Sequence, residues 1–132
     1  MIKTRGVAHF SIPVSDVERS KAIYADTLGM DIVFPAVADG MVFLYSGGDC
    51  IILVQTERPI ATAGEVNVHH AFVVDHDAYV SAKATLERAG VKILFEEERQ
   101  GGVVNGPRFY FEDPDGNVLE LIDLTSYKGA AA

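Results

Sequence analysis

Residues 108–124 read RFYFEDPDGNVLELIDL, and this stretch predicts two antiparallel strands joined by a tight turn. The turn is DPDG at 113–116, with proline at its first central position and glycine at its end, as β-turns favour. Apolar residues recur on both sides of the turn, at 107–112 and at 117–124. We therefore expect a β-hairpin that belongs to a larger sheet.

The sequence before this hairpin predicts a strand, a helix and a further strand. The strand covers 67–75, and the helix covers 78–89, with Asp77 as its N-cap and Gly90 as its stop. Residues 91–97 again have the composition of a strand. With the hairpin, these elements make one β-α-β-β-β unit.

The first half of the chain predicts the same order of elements. A strand at 7–14 precedes a helix at 16–28, which Ser15 and Glu18 begin as a capping box and Gly29 ends. Three strand-like stretches separated by turn residues follow, at 30–37, 41–46 and 50–56.

The two halves align as an internal repeat, which we favour over two unrelated α/β halves of similar length. Landmarks recur in the same order in both halves: His9 and His69, Gly29 and Gly90, and Gly48 and Gly116. The sequence therefore predicts an α+β fold of two βαβββ modules within a single domain, 1–132. Their expected bounds are 5–56 and 67–125, with a linker at 57–66 and a C-terminal tail at 126–132.

Composition excludes several classes of protein. The formal net charge of −8 argues against a nucleic-acid partner, which needs a basic surface. We expect no membrane span, because no run of 18 apolar residues occurs, and no secretory signal. The single Cys50 excludes an internal disulfide and fits a reducing, cytoplasmic location. We interpret it as a small core residue.

Two histidines and one glutamate have the pattern of a metal site. Side chains alternate between the faces of a strand, so His9 and His69 share one face while His70 lies with Phe72 on the helix side. Glu120 stands among apolar residues, where an ionised carboxylate needs a partner or a cation. Two histidines and a carboxylate bind Fe(II), Mn(II) and similar ions with open positions. The alternatives are structural histidines, and a glutamate that faces solvent or pairs with an arginine.

Three stretches together resemble the vicinal oxygen chelate superfamily, which includes glyoxalase I, type I extradiol dioxygenases, fosfomycin-resistance enzymes and bleomycin-resistance binding proteins. They are residues 9–30, 69–91 and 108–124. The resemblance implies an open, U-shaped barrel of two βαβββ modules around one divalent metal ion. It also implies a homodimer, in which some members complete the barrel with a module of the partner chain.

The ligand positions that the resemblance implies are His9, His69 and Glu120, and the ion would be Fe, Mn, Ni or Zn. The family's fourth ligand position falls on Ile52, which cannot bind a metal. Because glyoxalase I typically uses all four ligands, this argues against glyoxalase I activity. The loop at 101–107 lacks the histidine typical of extradiol dioxygenases. It also lacks the lysine and serine groups that fosfomycin enzymes usually carry there.

Three further residues are candidates for substrate binding. Tyr110 matches a family position that often faces the substrate, and Ser11 follows His9 on the same strand face. Arg108 shares a face with Tyr110 and could hold an anionic group with two hydrogen bonds. The alternative that we favour for Arg108 is a surface ion pair with one of three acidic residues, Glu96, Glu97 or Glu98. Tyr110 is otherwise a core tyrosine with a solvated hydroxyl.

The sequence therefore favours a metal-dependent enzyme acting on a small, oxygen-rich substrate, with Glu120 and Tyr110 as catalytic residues. Lyase, dioxygenase and resistance-type transferase chemistry all remain open. One alternative is a metal-free small-molecule binding protein of the bleomycin-resistance type. Another is a degenerate family member or one module of a larger assembly.

Overall fold

Two β-sheets form the framework of the protein, as a computed structural model describes it for residues 1–33, 40–57 and 66–128. The chain divides into two units, Met1–Ile60 and Ala61–Ala132, each with a sheet of its own. Within the described residues, no helix has the length and apolar character needed to cross a membrane.

The first unit has a four-stranded sheet in the order β1-β4-β3-β2, in which β1 is parallel to β4. Apolar side chains on alternate positions of β1, Ile12 and Val14, are almost completely buried. The elements are β1 His9–Val14, α1 Val17–Lys21 with a π-helical continuation at Ala22–Thr27, β2 Asp31–Ile32, β3 Met41–Ser46 and β4 Asp49–Gln55.

The second unit repeats this arrangement, with the strand order β5-β8-β7-β6 and with β5 parallel to β8. A short ninth strand pairs with β7. The elements are β5 His69–Val73, α2 His76–Arg88, β6 Lys92–Arg99, β7 Val104–Glu112, β8 Val118–Ile122 and β9 Ser126–Tyr127. The predicted α+β fold with two βαβββ modules is confirmed.

Both predicted helix caps were wrong, by one and by two residues. Helix α1 is capped by Asp16, whose carboxylate accepts from the backbone N–H groups of Glu18 and Arg19 at 3.0 and 3.2 Å. The hydroxyl of Ser15 instead accepts from the Arg19 guanidinium. Helix α2 has Asp75 as its N-cap rather than Asp77. Helix α1 therefore begins one residue later than predicted, at Val17, and α2 begins two residues earlier than predicted, at His76.

Three predicted segments lie partly outside the described residues. The strand expected at 30–37 is seen as the two-residue β2, and residues 34–39 are not described. Residues 58–65 of the predicted linker and residues 129–132 of the predicted tail are likewise outside. The beginning of that tail forms β9, which adds an edge to β7.

The DPDG turn fixes the start of β8 through the buried carboxylate of Asp113. Its Oδ1 accepts from the backbone N–H groups of Asp115 and Asn117 at 2.9 and 2.8 Å, and its Oδ2 accepts from the Asn117 amide at 2.8 Å. Gly116 closes the turn with a φ of 81° and donates its N–H to the Asp113 carbonyl. Each of these bonds constrains the register in which β8 leaves the turn.

A histidine at the start of α2 gives the second unit a pH-dependent contact. The hydrogen bond and negative charge of Asp123 raise the pKa of His76 above 6.5, and Asp77 adds to the effect. The stabilisation is complete below the unfolded-state pKa and is lost as pH rises through the folded-state value. We expect His76→Gln to lower the free energy of unfolding more at about pH 5.5 than at about pH 8.5.

Urea unfolding of both proteins at the two pH values measures this difference. Asp123→Asn is the matched control, because it removes the same pair and should abolish the pH-dependent part of the His76 effect. A difference between wild type and His76→Gln that does not change with pH would show that the pair contributes no charge-dependent stability.

Candidate functional site

A cavity of about 620 Å³ opens on the sheet face of the second unit. Strands β5 to β8 all contribute to its lining, and so do Val66 and Asn67, which precede β5. The lining residues with chemical capability or aromatic surface are His69, Phe95, Glu97, Arg108, Tyr110 and Glu120. The structure thus brings together four of the six residues singled out from the sequence.

Strand register explains why these side chains meet. Tyr110 of β7 lies directly opposite Glu120 of β8, which in turn lies opposite Ala71 of β5. Residues paired across strands share a face, and His69 shares the face of Ala71 because it is two residues away. The cavity face therefore carries a histidine, a carboxylate and a phenol on three neighbouring strands.

His69 is held in one orientation by the backbone. Its Nδ1 lies 2.6 Å from the carbonyl oxygen of Val66, which can only accept, so the ring donates Nδ1–H. In the neutral imidazole the Nε2 atom then carries a lone pair, and this atom lies 3.8 Å from Oε2 of Glu120. A backbone carbonyl on one nitrogen and a lone pair on the other is the usual arrangement of a metal-binding histidine.

His70 lies on the opposite face of β5, as strand alternation predicted. It is half-buried and shares its face with Phe72, which is buried. Burial, and secondly the neighbouring His69, lower the pKa of His70. The two adjacent histidines therefore have different environments, and only His69 lines the cavity.

Glu120 and Arg108 form a buried ion pair. Each residue is 3% exposed, and Nη1 of Arg108 donates to Oε1 of Glu120 at 3.3 Å. The favoured prediction for Arg108, a surface pair with Glu96, Glu97 or Glu98, is therefore wrong. Glu97 does lie opposite Arg108 in the β6–β7 register, but its Oε1 already accepts from Arg99 and Tyr110.

Tyr110 is a buried phenol with a fixed hydroxyl and two aromatic contacts. The hydroxyl donates to Oε1 of Glu97 at 3.2 Å. Its ring stacks on Phe95 at 4.5 Å between centroids and meets the His69 ring edge-on at 5.2 Å. Burial, followed by the negative charges of Glu120 and Glu97, raises the pKa of Tyr110 to about 12. The side chain is accordingly a hydrogen-bond donor at neutral pH.

Three cavity residues on β6 were missed by the sequence analysis: Phe95, Glu97 and Arg99. A β-bulge causes this, because the register pairs Ile93 with Phe111 but Phe95 with Tyr110. The extra residue changes the face that follows it, so simple alternation from Ile93 assigns Phe95 to the wrong side. The available signal was the alternation within FEEER itself, which places all three on one face.

The remaining two predicted site residues belong to the first unit. His9 and Ser11 both have exposed side chains on the same face of β1. His9 lies opposite Cys50 in the β1–β4 register and lines a cavity of about 340 Å³ in that unit. Ser11 lies opposite Ile52 in the β1–β4 register. The position at which the family has its fourth ligand is therefore occupied by the isoleucine itself in this strand pair. Cys50 is partly buried rather than fully in the core.

Two of the three predicted metal ligands fit a metal ion. His69 presents a lone pair on Nε2, and the buried carboxylate of Glu120 is the kind of charged donor that a cation compensates. Within residues 1–33, 40–57 and 66–128, no group of three His, Cys, Asp or Glu side chains has the geometry to hold an ion. The third ligand, His9, therefore stays a prediction.

The chain is similar in sequence to known proteins of one superfamily. The model of the glyoxalase/bleomycin resistance protein/dioxygenase superfamily matches residues 6–121. The chain is 28% identical over 115 residues to the glutathione transferase FosA of Serratia marcescens, covering 86% of this chain and 77% of the relative. It is 28% identical over 120 residues to the metallothiol transferase FosB of Staphylococcus epidermidis, covering 89% and 82%.

Solved structures share the fold. The fosfomycin resistance protein FosX of Listeria monocytogenes superposes with a TM-score of 0.78 at 20% identity, over 93% of this chain and 94% of that one. The same protein in complex with Mn(II) and sulfate has a TM-score of 0.73 at 20% identity, over 93% of both chains. At this identity the similarity concerns the fold.

Proposed function

Because the chain belongs to the glyoxalase/bleomycin resistance protein/dioxygenase superfamily, we propose that it is a divalent-metal-dependent enzyme of the resistance type. In this proposal it adds a nucleophile to a small, oxygen-rich electrophile. The observation that carries the proposal is the cavity pair of His69 and Glu120, with Nε2 and Oε2 3.8 Å apart. Two relatives named as a glutathione transferase and a metallothiol transferase support this choice over lyase or dioxygenase chemistry. The structural neighbour FosX has been solved with Mn(II).

His9, His69 and Glu120 are the proposed ligands. His9 is included because the internal repeat aligns it with His69. A bound divalent ion would supply Lewis-acid stabilisation of the negative charge that develops on a substrate oxygen. The chain's own contribution is orientation. The Val66 carbonyl holds the His69 ring, and Arg108 holds the Glu120 carboxylate.

Tyr110 is proposed to bind the substrate rather than to act as a base. Its hydroxyl points into the cavity and already donates to Glu97, so it can donate instead to a substrate oxygen. The stacked ring of Phe95 is 42% exposed and supplies an apolar wall beside that hydroxyl. Ser11 is proposed as a further substrate contact because it shares the exposed face of His9 on β1.

The substrate is proposed only as a class, because the arginines of the described cavity are already paired. Arg108 is held by Glu120, and Arg99 by Glu97 at 3.0 Å. An anionic group such as a phosphonate would have to displace one of these carboxylates or bind the metal. Fosfomycin is the first probe that we propose, since the structural neighbour FosX is named a fosfomycin resistance protein. Both arginines of the described cavity would have to leave a glutamate to bind its phosphonate.

Metal titration tests the proposal directly. We expect Mn(II), Fe(II), Ni(II) or Zn(II) to raise the melting temperature, because a ligand at 100 times its Kd adds about 2.7 kcal/mol of stability. His9→Ala, His69→Ala and Glu120→Ala should each abolish that rise. His76→Ala is the matched control, as an exposed histidine of the same unit as His69. A chain that none of these metals stabilises would not be the enzyme proposed.

A metal-free binding protein is the second candidate, and the Arg108–Glu120 pair favours it. The guanidinium supplies the positive charge that a metal would otherwise bring to the buried carboxylate. In that case a small molecule should bind with equal affinity in the presence and absence of EDTA. The assembly as a homodimer and the cytoplasmic location likewise remain proposals, of which light scattering tests the first.

A further inference from the structure

Arg108 has a place in the site that the proposed ligand set does not include. We infer that Arg108 is a positioning residue for the metal site: it binds one oxygen of Glu120, so that the other oxygen is presented beside Nε2 of His69. The inference rests on the proposed metal-dependent function. It assigns a role to a residue that contacts a ligand and not the ion.

The guanidinium of Arg108 is fixed by its own strand. Nη2 donates to the carbonyl of Val104 at 2.6 Å, and Nε donates to the carbonyl of Gly106 at 3.3 Å. Both acceptors are backbone groups at the start of β7, so they move with the sheet and not with a flexible side chain. A planar guanidinium held at two of its three nitrogens has little rotational freedom left.

The third nitrogen determines how Glu120 is oriented. Nη1 donates to Oε1 at 3.3 Å, while Oε2 lies 3.8 Å from Nε2 of His69. Each carboxylate oxygen thus has a different neighbour. A carboxylate tied in this way offers one oxygen to an ion and is hindered from binding it with both.

The neighbouring carboxylate shows that this pairing is selective. Glu97 lies directly opposite Arg108 in the register, yet its Oε1 is taken by Arg99 and Tyr110. The cavity therefore contains two arginine–glutamate pairs with different environments. Arg99 is half-exposed, with 49% of its side chain accessible, whereas the Arg108 side chain is 4% accessible. Arg99 is for this reason a matched control.

The experiment compares wild type, Arg108→Lys and Arg99→Lys in metal binding. Lysine keeps the charge at position 108 but has no planar set of donors, so it cannot hold two backbone carbonyls and a carboxylate together. The Kd for Mn(II) and Zn(II) is measured by calorimetry. The visible absorption of bound Co(II) reports the geometry of its ligands. Circular dichroism and melting temperature show that each variant is folded.

We expect Arg108→Lys to raise the metal Kd by about 10–100-fold, as the loss of a residue that orients a ligand does. The Co(II) spectrum should change as well, and Arg99→Lys should leave both unchanged. If Arg108→Lys does not fold, Arg108→Gln is the second variant, with the same expected result.

The other outcomes overturn the inference in distinguishable ways. Unchanged Kd and spectrum in a folded Arg108 variant would show that the arginine is only structural. A lower Kd would show that Arg108 competes with the ion for Glu120, as in a metal-free binding protein. Wild type that binds none of Mn(II), Fe(II), Ni(II), Zn(II) and Co(II) would overturn the proposed function, and the role of Arg108 with it.

Discussion

Replacing Glu120 by glutamine should destabilise the metal-free protein by about 3–5 kcal/mol, because it leaves the Arg108 charge buried without compensation. Glutamine has almost the same shape as glutamate, so no cavity is created and the effect reports the charge. For a chain of this length, the loss corresponds to a fall in melting temperature on the order of 10 °C. Urea unfolding in the presence of EDTA measures the free energy.

A double-mutant cycle separates the pair from its surroundings. Arg108→Met combined with Glu120→Gln should recover most of the loss, since a buried ion pair replaced by uncharged groups is often nearly neutral. Glu97→Gln is the control, because Glu97 is on the same cavity face but partly exposed, and we expect a loss of about 1 kcal/mol. Equal losses in Glu97→Gln and Glu120→Gln would contradict the assignment of a tightly coupled buried pair.

Periodicity in the sequence is sufficient for the module order and for the face of His69, because both depend only on local backbone geometry. A strand has a two-residue repeat wherever it runs straight, so alternation separates His69 from His70. The capping residues are less well determined, because Ser15 and Asp16 can both accept hydrogen bonds from helix N–H groups. The choice of Asp16 follows from the backbone conformation at that turn.

The partner of Arg108 could not be predicted, because alternation assigns a face but not a contact. Glu97 lies opposite Arg108 in the register, but its Oε1 accepts from Arg99 and Tyr110, and Arg108 donates to Glu120 instead. The bulge between Ile93 and Phe95 could not be predicted either. It depends on how β6 pairs with β7, and nothing in the composition of β6 marks it.

Gly106→Ala should lower the free energy of unfolding by at least about 3 kcal/mol. We expect this to be the largest destabilisation by any glycine substitution in the cavity region. Gly106 has a φ of 134°, which residues with a Cβ rarely adopt. An added Cβ would overlap the carbonyl oxygen of Asp123 and approach the backbone nitrogen of Thr125 to 3.2 Å. The backbone there is held on both sides, by Asp123 N–H to the Pro107 carbonyl at 3.0 Å and Thr125 N–H to the Asn105 carbonyl at 2.9 Å.

The same substitution should weaken metal binding, since the Gly106 carbonyl accepts from Nε of Arg108 and a shift of β7 moves the guanidinium away from Glu120. Gly101→Ala is the matched control. Its φ is 75° and nothing lies within 4 Å of an added Cβ, so it pays only the conformational cost of about 1–2 kcal/mol. Urea unfolding and metal titration of both variants test this. Equal losses of stability in Gly106→Ala and Gly101→Ala would show that the backbone near Asp123 moves away from the added Cβ without a further loss of free energy. An unchanged metal affinity in Gly106→Ala would show that the backbone at Gly106 does not hold Arg108 in place.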